Sequence, residues 1–114
     1  MKSWRLTRTA ERSLAEIAGY TRRQFGIEQA LKYRDALIAR INRLAAGEPP
    51  HARDCALLLG SSSTATGLSY FREGGHYIIM RETPEMLQVI EFLHERCHLQ
   101  AHVERLARTV NRQD

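Results

Sequence analysis

The sequence predicts a single α+β domain over residues 1–114. It reads as a short N-terminal strand, then an antiparallel αα-hairpin packed on a small antiparallel sheet (β-α-α-β-β-β), with a short C-terminal helix. Three observations predict this. Apolar residues recur at helical spacing from about residue 10 to 46. From residue 68 to 94 the pattern turns strand-like, broken by "GG" and "TPE". Helical spacing then returns after Leu99.

"KSWRLT" (2–7) alternates, with Trp4 and Leu6 on one face, and Thr7 or Thr9 can cap the helix that follows. In that helix Ala10, Leu14, Ile17, Ala18, Thr21 and Phe25 form one stripe, which Gly26 ends. A second helix runs from about Ile27 to Ala46, with Ile27, Leu31, Leu37 and Ile41 among its buried residues. Gly47 suits its C′ position, and Pro49–Pro50 prevents continuation. Trp4, Phe25 and Tyr33 read as core or groove-lining. Residues 51–67 form a variable loop in which "CALLL" can tuck against the core and "SSSTATG" is polar. "LSYFRE" and "HYIIMR" flank Gly74–Gly75 as a hairpin, the glycines suited to the positive φ of a tight turn. "MLQVIEFLH" (86–94) supplies a third strand. The middle strand is apolar on both faces, so its second face needs a cover or a partner. Val103, Leu106, Ala107 and Val110 mark the tail helix.

Hydrophobic content of 43% and charged content of 26% are those of an ordinary globular protein. No apolar run could span a bilayer and the N-terminus has no signal-peptide core, so a cytoplasmic protein is expected. Cys55 and Cys97 suggest no disulfide framework. The net charge is +4, and of seventeen basic residues only Lys2 and Lys32 are lysines. Arginine forks onto phosphates and carboxylates, which invites nucleic acid or an acidic partner. Solvated helix faces explain the same composition.

"HERCH" (94–98) matches the zinc-protease pattern His-Glu-x-x-His, in which both histidines emerge from one helix and the glutamate activates water. Here "QVIEFL" before His94 reads as strand, so the motif straddles a strand end and the imidazoles diverge. Glu104 stands where the extended pattern has its third histidine, and Ala101 replaces its glycine. A structural zinc site on His94, Cys97, His98 and His102 is an equally weak alternative. No metal and no cofactor is expected.

The same region carries a more specific likeness. "GLSYFREGGHYIIMRE" followed by "VIEFLHERCHLQAHV", with "WRLTRTAERSLAEIAGYT" and "RRQFGIEQALKYRDALIARINRLAAGEPP" before them, resembles the RelE/ParE toxin family, the ParE branch in particular. The likeness runs to about residue 103. Departures are Ser69 for the family's usual arginine, Met80 for tyrosine, Cys97 for methionine, a longer 51–67 loop and an extension over 104–114.

The resemblance implies the toxin of a type II toxin–antitoxin system. Such a toxin is neutralised in a heteromeric complex by a ParD-like antitoxin, inhibits DNA gyrase and has no catalytic residues of its own. It makes Arg72, Arg81 and Arg96 candidates for contact with target or antitoxin; strand-end solvation or ion pairs with Glu73, Glu82 or Glu85 account for Arg72 and Arg81 equally well. The alternative within the family is a ribosome-dependent mRNA endonuclease of RelE type. For that activity Arg72 and Arg96 fall on arginine positions and His102 near a tyrosine, while the lysine cluster before the sheet is missing. A non-toxic binding module of the same fold is the third reading.

Overall fold

A computed structural model of the chain describes residues 2–59 and 67–112. The elements are β1 (Ser3–Leu6), α1 (Arg8–Phe25), α2 (Ile27–Ala45), β2 (Arg53–Asp54), α3 (Ala56–Leu59), β3 (Leu68–Glu73), β4 (His76–Glu82), β5 (Met86–His94) and α4 (Leu99–Arg112). The α+β class and the β-α-α-β-β-β order with a tail helix stand. The short β2 and the single-turn α3 are additions within the segment read as a loop. Most of the serine-rich stretch (60–66) and the side chain of Val110 lie outside the described residues.

The five-stranded sheet has the order β1-β5-β4-β3-β2. Neighbours are antiparallel except that β1 runs parallel to β5, with Ser3 opposite Met86 and Leu6 opposite Val89. The sheet is therefore mixed, where the sequence suggests an antiparallel one. The helical hairpin is the reason. It goes out and returns, so that Lys2 N–H meets Ala45 O at 3.2 Å, and a connection this long leaves β1 free to pair parallel. Thr7 makes the joint. Its hydroxyl oxygen accepts from Ala10 N–H (3.0 Å), capping α1, and its O–H donates to Ile90 O (2.7 Å), tying that cap to β5. At the far end of α2, Gly47 (φ +75°) lets its own N–H reach Leu44 O and Glu48 N–H reach Arg43 O, at 3.1 and 3.0 Å.

Two apolar cores lie on opposite faces of the sheet. On one face Leu37 and Ile41 of α2 and Ala10 of α1 pack on Ile78, Met80, Val89 and Phe92. On the other, Val103, Leu106 and Ala107 of α4, with Cys55, cover Ile79, Ile90 and Leu93. The face expected to need a partner is thus closed by the chain's own tail helix. A β-bulge helps: Ile79 faces Glu91 while Met80 faces Val89, so Ile90 is the extra residue and turns toward α4.

The hairpin stripe is buried only in part. Ala10 and Thr21 of α1 and Ala30, Leu37, Ile41 and Ala45 of α2 are inside, but Phe25 is 69% and Ile27 59% exposed, with Tyr20 and Leu31 also out. Placing Phe25, Ile27 and Leu31 in the core is therefore corrected: the closed end of the hairpin overhangs the floor that the sheet provides. Trp4 is half-buried, its indole N–H donating to Asn42 Oδ1 at 2.7 Å. Among the described residues no helix is long and apolar enough to cross a membrane.

Candidate functional site

A cluster of polar side chains gathers where the β3–β4 turn meets α2 and the end of β5. Only Gly74 of the glycine pair is left-handed (φ +58°), and a Cβ there would sit 2.7 Å from Tyr33 Cε1. That empty space admits the Tyr33 ring against the turn. The Tyr33 hydroxyl accepts from Gly75 N–H (3.0 Å) and lies 2.6 Å from His76 Nδ1 and 3.2 Å from Glu73 O. The His76 ring stands edge-on to His94, centroids 5.4 Å apart. Burial, and then the neighbouring His94, push the His76 pKa below its ordinary value, with Glu95 pulling the other way. Burial raises the Tyr33 pKa, with Glu73 and Glu95 adding to it against the Gly75 N–H. Near neutral pH the phenol is thus a donor beside an uncharged imidazole.

Arg72 leans over the same turn and ion-pairs with Glu95, its Nε also 3.4 Å from Gly74 O. Its partner is Glu95, not the nearby glutamates the sequence offers: Glu73 belongs to Arg40 (2.7 Å) and Glu82 to Lys2 (2.5 Å). Arg81 stands opposite Leu68, four residues along β3 from Arg72, or roughly 13 Å away. Arg96 is exposed in the turn after β5, and its backbone N–H donates to His94 Nδ1 at 3.0 Å. His102 lies on α4 with Arg105 Nη2 3.0 Å from its Nδ1.

Two clefts flank this region. The first, of about 590 Å³, is floored by Tyr70, Arg72 and Tyr77 and rimmed by His51, Arg53 and Leu99. The second, of about 510 Å³, runs between α1 and α4 over the end of β5 and includes Tyr20, His76, His94, Cys97 and His102. Arg72 and His102 therefore open onto different clefts, and the trio Arg72, Arg96 and His102 does not converge on one. The "HERCH" histidines do not share a helix: His94 ends β5, Cys97 N–H turns back to His94 O (2.9 Å), and α4 starts only at Leu99. Glu95, the would-be base, is engaged by Arg72. Among the described residues no three His, Cys, Asp or Glu side chains are grouped to hold a metal ion. The thiols are poor nucleophiles. Burial and Asp54 push Cys55 up to about 12, and burial, with Glu91 adding, raises Cys97.

Sequence reasoning missed Tyr33, His76, His51, Arg53, Tyr70 and Tyr77 as site residues. For Tyr70, Arg72 and Tyr77 a signal existed. The "GG" turn sets a register in which Arg72 faces Tyr77, and alternation then puts Tyr70 on the same face.

The model of the family described as the ParE toxin of the type II toxin–antitoxin system, parDE, matches residues 4–99. A solved structure, of a chromosomal ParDE toxin–antitoxin system from P. aeruginosa, is similar with a TM-score of 0.60 and 18% identity. The similarity covers 82% of this chain and 96% of that one. No curated protein matches the sequence.

Proposed function

Because the chain belongs to the ParE toxin family of type II toxin–antitoxin systems, we propose that it arrests growth by inhibiting DNA gyrase, catalyses no reaction of its own, and is held silent by a ParD-like antitoxin. The observation that carries this is the extent of the family match, which takes in almost all of the sheet and the whole helical hairpin. A gyrase target implies action in the cytoplasm.

The surface offers the antitoxin a place. With α4 on the second sheet face, the large exposed apolar side chains among the described residues are Tyr20, Phe25, Ile27 and Leu31. All lie within about two turns of Gly26. Between Tyr20 and Lys32 the charged residues are Arg22, Arg23 and Lys32 against Glu28. An acidic segment that folds into an amphipathic helix fits such a surface, its apolar side on the rings and its carboxylates on the cations. The separation of Arg72 from His102 favours this reading over mRNA cleavage, which needs base, acid and phosphate-neutralising groups around one bond.

Controlled expression of the full chain, with and without a ParD-like antitoxin, tests the proposal. Arrest with gyrase-trapped DNA breaks and continuing protein synthesis, relieved by the antitoxin, is the expected result. Early loss of translation with cut mRNA would transfer the activity to the ribosome. Absence of any toxicity from soluble, folded protein would leave a binding module.

A further inference from the structure

We propose that the cleft over β2, β3 and β4 is a docking groove for a short single-stranded stretch of DNA, whose phosphates are held by Arg53 and Arg72 and whose bases stack on Tyr70 and Tyr77. The choice of DNA rests on the gyrase reading above; the groove's chemistry does not.

The four side chains are set by register. Arg53 on β2 stands directly opposite Tyr70, and Arg72 directly opposite Tyr77. Directly opposed residues share a face, and alternation along β3 puts Tyr70 and Arg72 on that same face. The result is a zigzag across three strands, Arg53 on β2, Tyr70 and Arg72 on β3 and Tyr77 on β4, in which guanidinium groups and phenol rings alternate. One strand spacing sideways and two residues along place the Cα atoms of Arg53 and Arg72 roughly 8 Å apart. The rings meet edge to face with centroids 6.2 Å apart, so each turns a different surface to the groove. Arg53 and His51 are exposed, Arg72 is 58% exposed in its side chain, and both tyrosines are half-buried.

Charge and shape agree on the occupant. Asp54 is engaged with Ala56 N–H (2.8 Å) and Glu73 with Arg40; the described residues lining the groove include no carboxylate, and Glu95 bears on it through its pair with Arg72. That pair holds the guanidinium in place while its exposed edge stays free to meet an anion. An acidic peptide would use the arginines alone. Two aromatic surfaces interleaved with two cations add what a nucleobase uses and a carboxylate does not. A duplex would hide its base faces from the rings, which selects a single strand.

The test is fluorescence anisotropy of the purified full chain with a labelled oligothymidylate of about twelve nucleotides, across a salt series. Two phosphate contacts predict a slope of log K against log salt of about −1.4, falling to about −0.7 in Arg53→Ala. Tyr77→Leu should weaken binding roughly five- to a hundredfold at unchanged slope. Tyr70→Leu, on a different strand, gives the same reading should Tyr77→Leu misfold. Arg12→Ala, on the exposed side of α1, controls for net charge and should change neither. Equal or tighter binding of DNA than of oligouridylate supports the proposal. RNA preferred by tenfold or more overturns DNA as the occupant. Displacement by poly-glutamate that depends on Arg53 but not on either tyrosine overturns nucleic acid in favour of an acidic peptide. No saturable binding at up to roughly 100 μM protein overturns the groove outright. Because gyrase is absent from this assay, its outcome is independent of whether the toxin poisons that enzyme.

Discussion

Replacing Tyr33 by phenylalanine isolates a single oxygen atom at the junction of α2 with the β3–β4 turn. The hydroxyl has one proton and three neighbours, so it can donate to His76 Nδ1 (2.6 Å) or Glu73 O (3.2 Å), but not both, while accepting from Gly75 N–H (3.0 Å). A neutral imidazole protonated at Nε2 accepts the phenol proton at Nδ1, and one protonated at Nδ1 donates to the phenol oxygen, whose own O–H then goes to Glu73 O. At least two hydrogen bonds are therefore at stake, each contributing about 1 kcal/mol net, with a further penalty where a partner stays dry. The phenylalanine ring fills the same space, so no cavity is added. Both residues are half-buried and water can replace part of the loss, which puts the expected destabilisation near 2 kcal/mol. For a chain of 114 residues the unfolding entropy is about 240 cal/mol/K, so Tm should drop by about 8 °C. Urea unfolding of the antitoxin-free chain, checked by thermal melts, measures it. A loss under about 0.5 kcal/mol would refute the reasoning, since it would mean that solvent satisfies the turn as well as the phenol does.

Gly74→Ala should be at least as damaging, about 2 kcal/mol or more in the same assay, because a left-handed φ and a Cβ 2.7 Å from the Tyr33 ring act together. Val103→Ala, at a fully buried position on the sheet-facing side of α4, should cost about 2 kcal/mol from lost burial and the cavity left behind; a neutral result would show that α4 detaches readily from the sheet. The folded pKa of His76 lies below the unfolded 6.5, so the unfolded chain takes up the proton first as pH falls. Stability should therefore decline from above pH 6.5 down to the folded pKa and then level off for this group, and His76→Gln should flatten that decline. Phe25→Asp should leave the melting temperature almost unchanged, since the ring is 69% exposed, yet weaken antitoxin binding by at least tenfold in calorimetry. Unchanged affinity would move the antitoxin off the hairpin.

Much of this was legible in the sequence because it is local. Helical spacing found α1 and α2, Gly47 marked the end of α2, and "GG" located the β3–β4 turn. The β-rich residues before His94 revealed that "HERCH" begins on a strand. What escaped depends on distance along the chain or on lengths that periodicity does not measure. A stripe tells which face of a helix turns inward but not how far the floor beneath it extends, so Phe25 and Ile27 looked like core. The bulge at Ile90 breaks the alternation by one residue, and with it the assignment of faces. Arg72 finds its acid 23 residues away at Glu95, past four nearer glutamates. Family likeness named the toxin class, yet it ends near the point where α4 begins, and so it was silent about what covers the second face of the sheet.

The parallel pairing of β1 with β5 also sets an order of events during synthesis. Leu6 finds its place beside Val89 only after 83 further residues have been made, whereas the two helices that pack on each other are complete by Ala45. On the ribosome the helical hairpin can therefore present its exposed rings well before the sheet has both its edges. An antitoxin that binds the hairpin, as proposed, would then meet it ahead of the finished toxin, and silencing would precede completion of the fold.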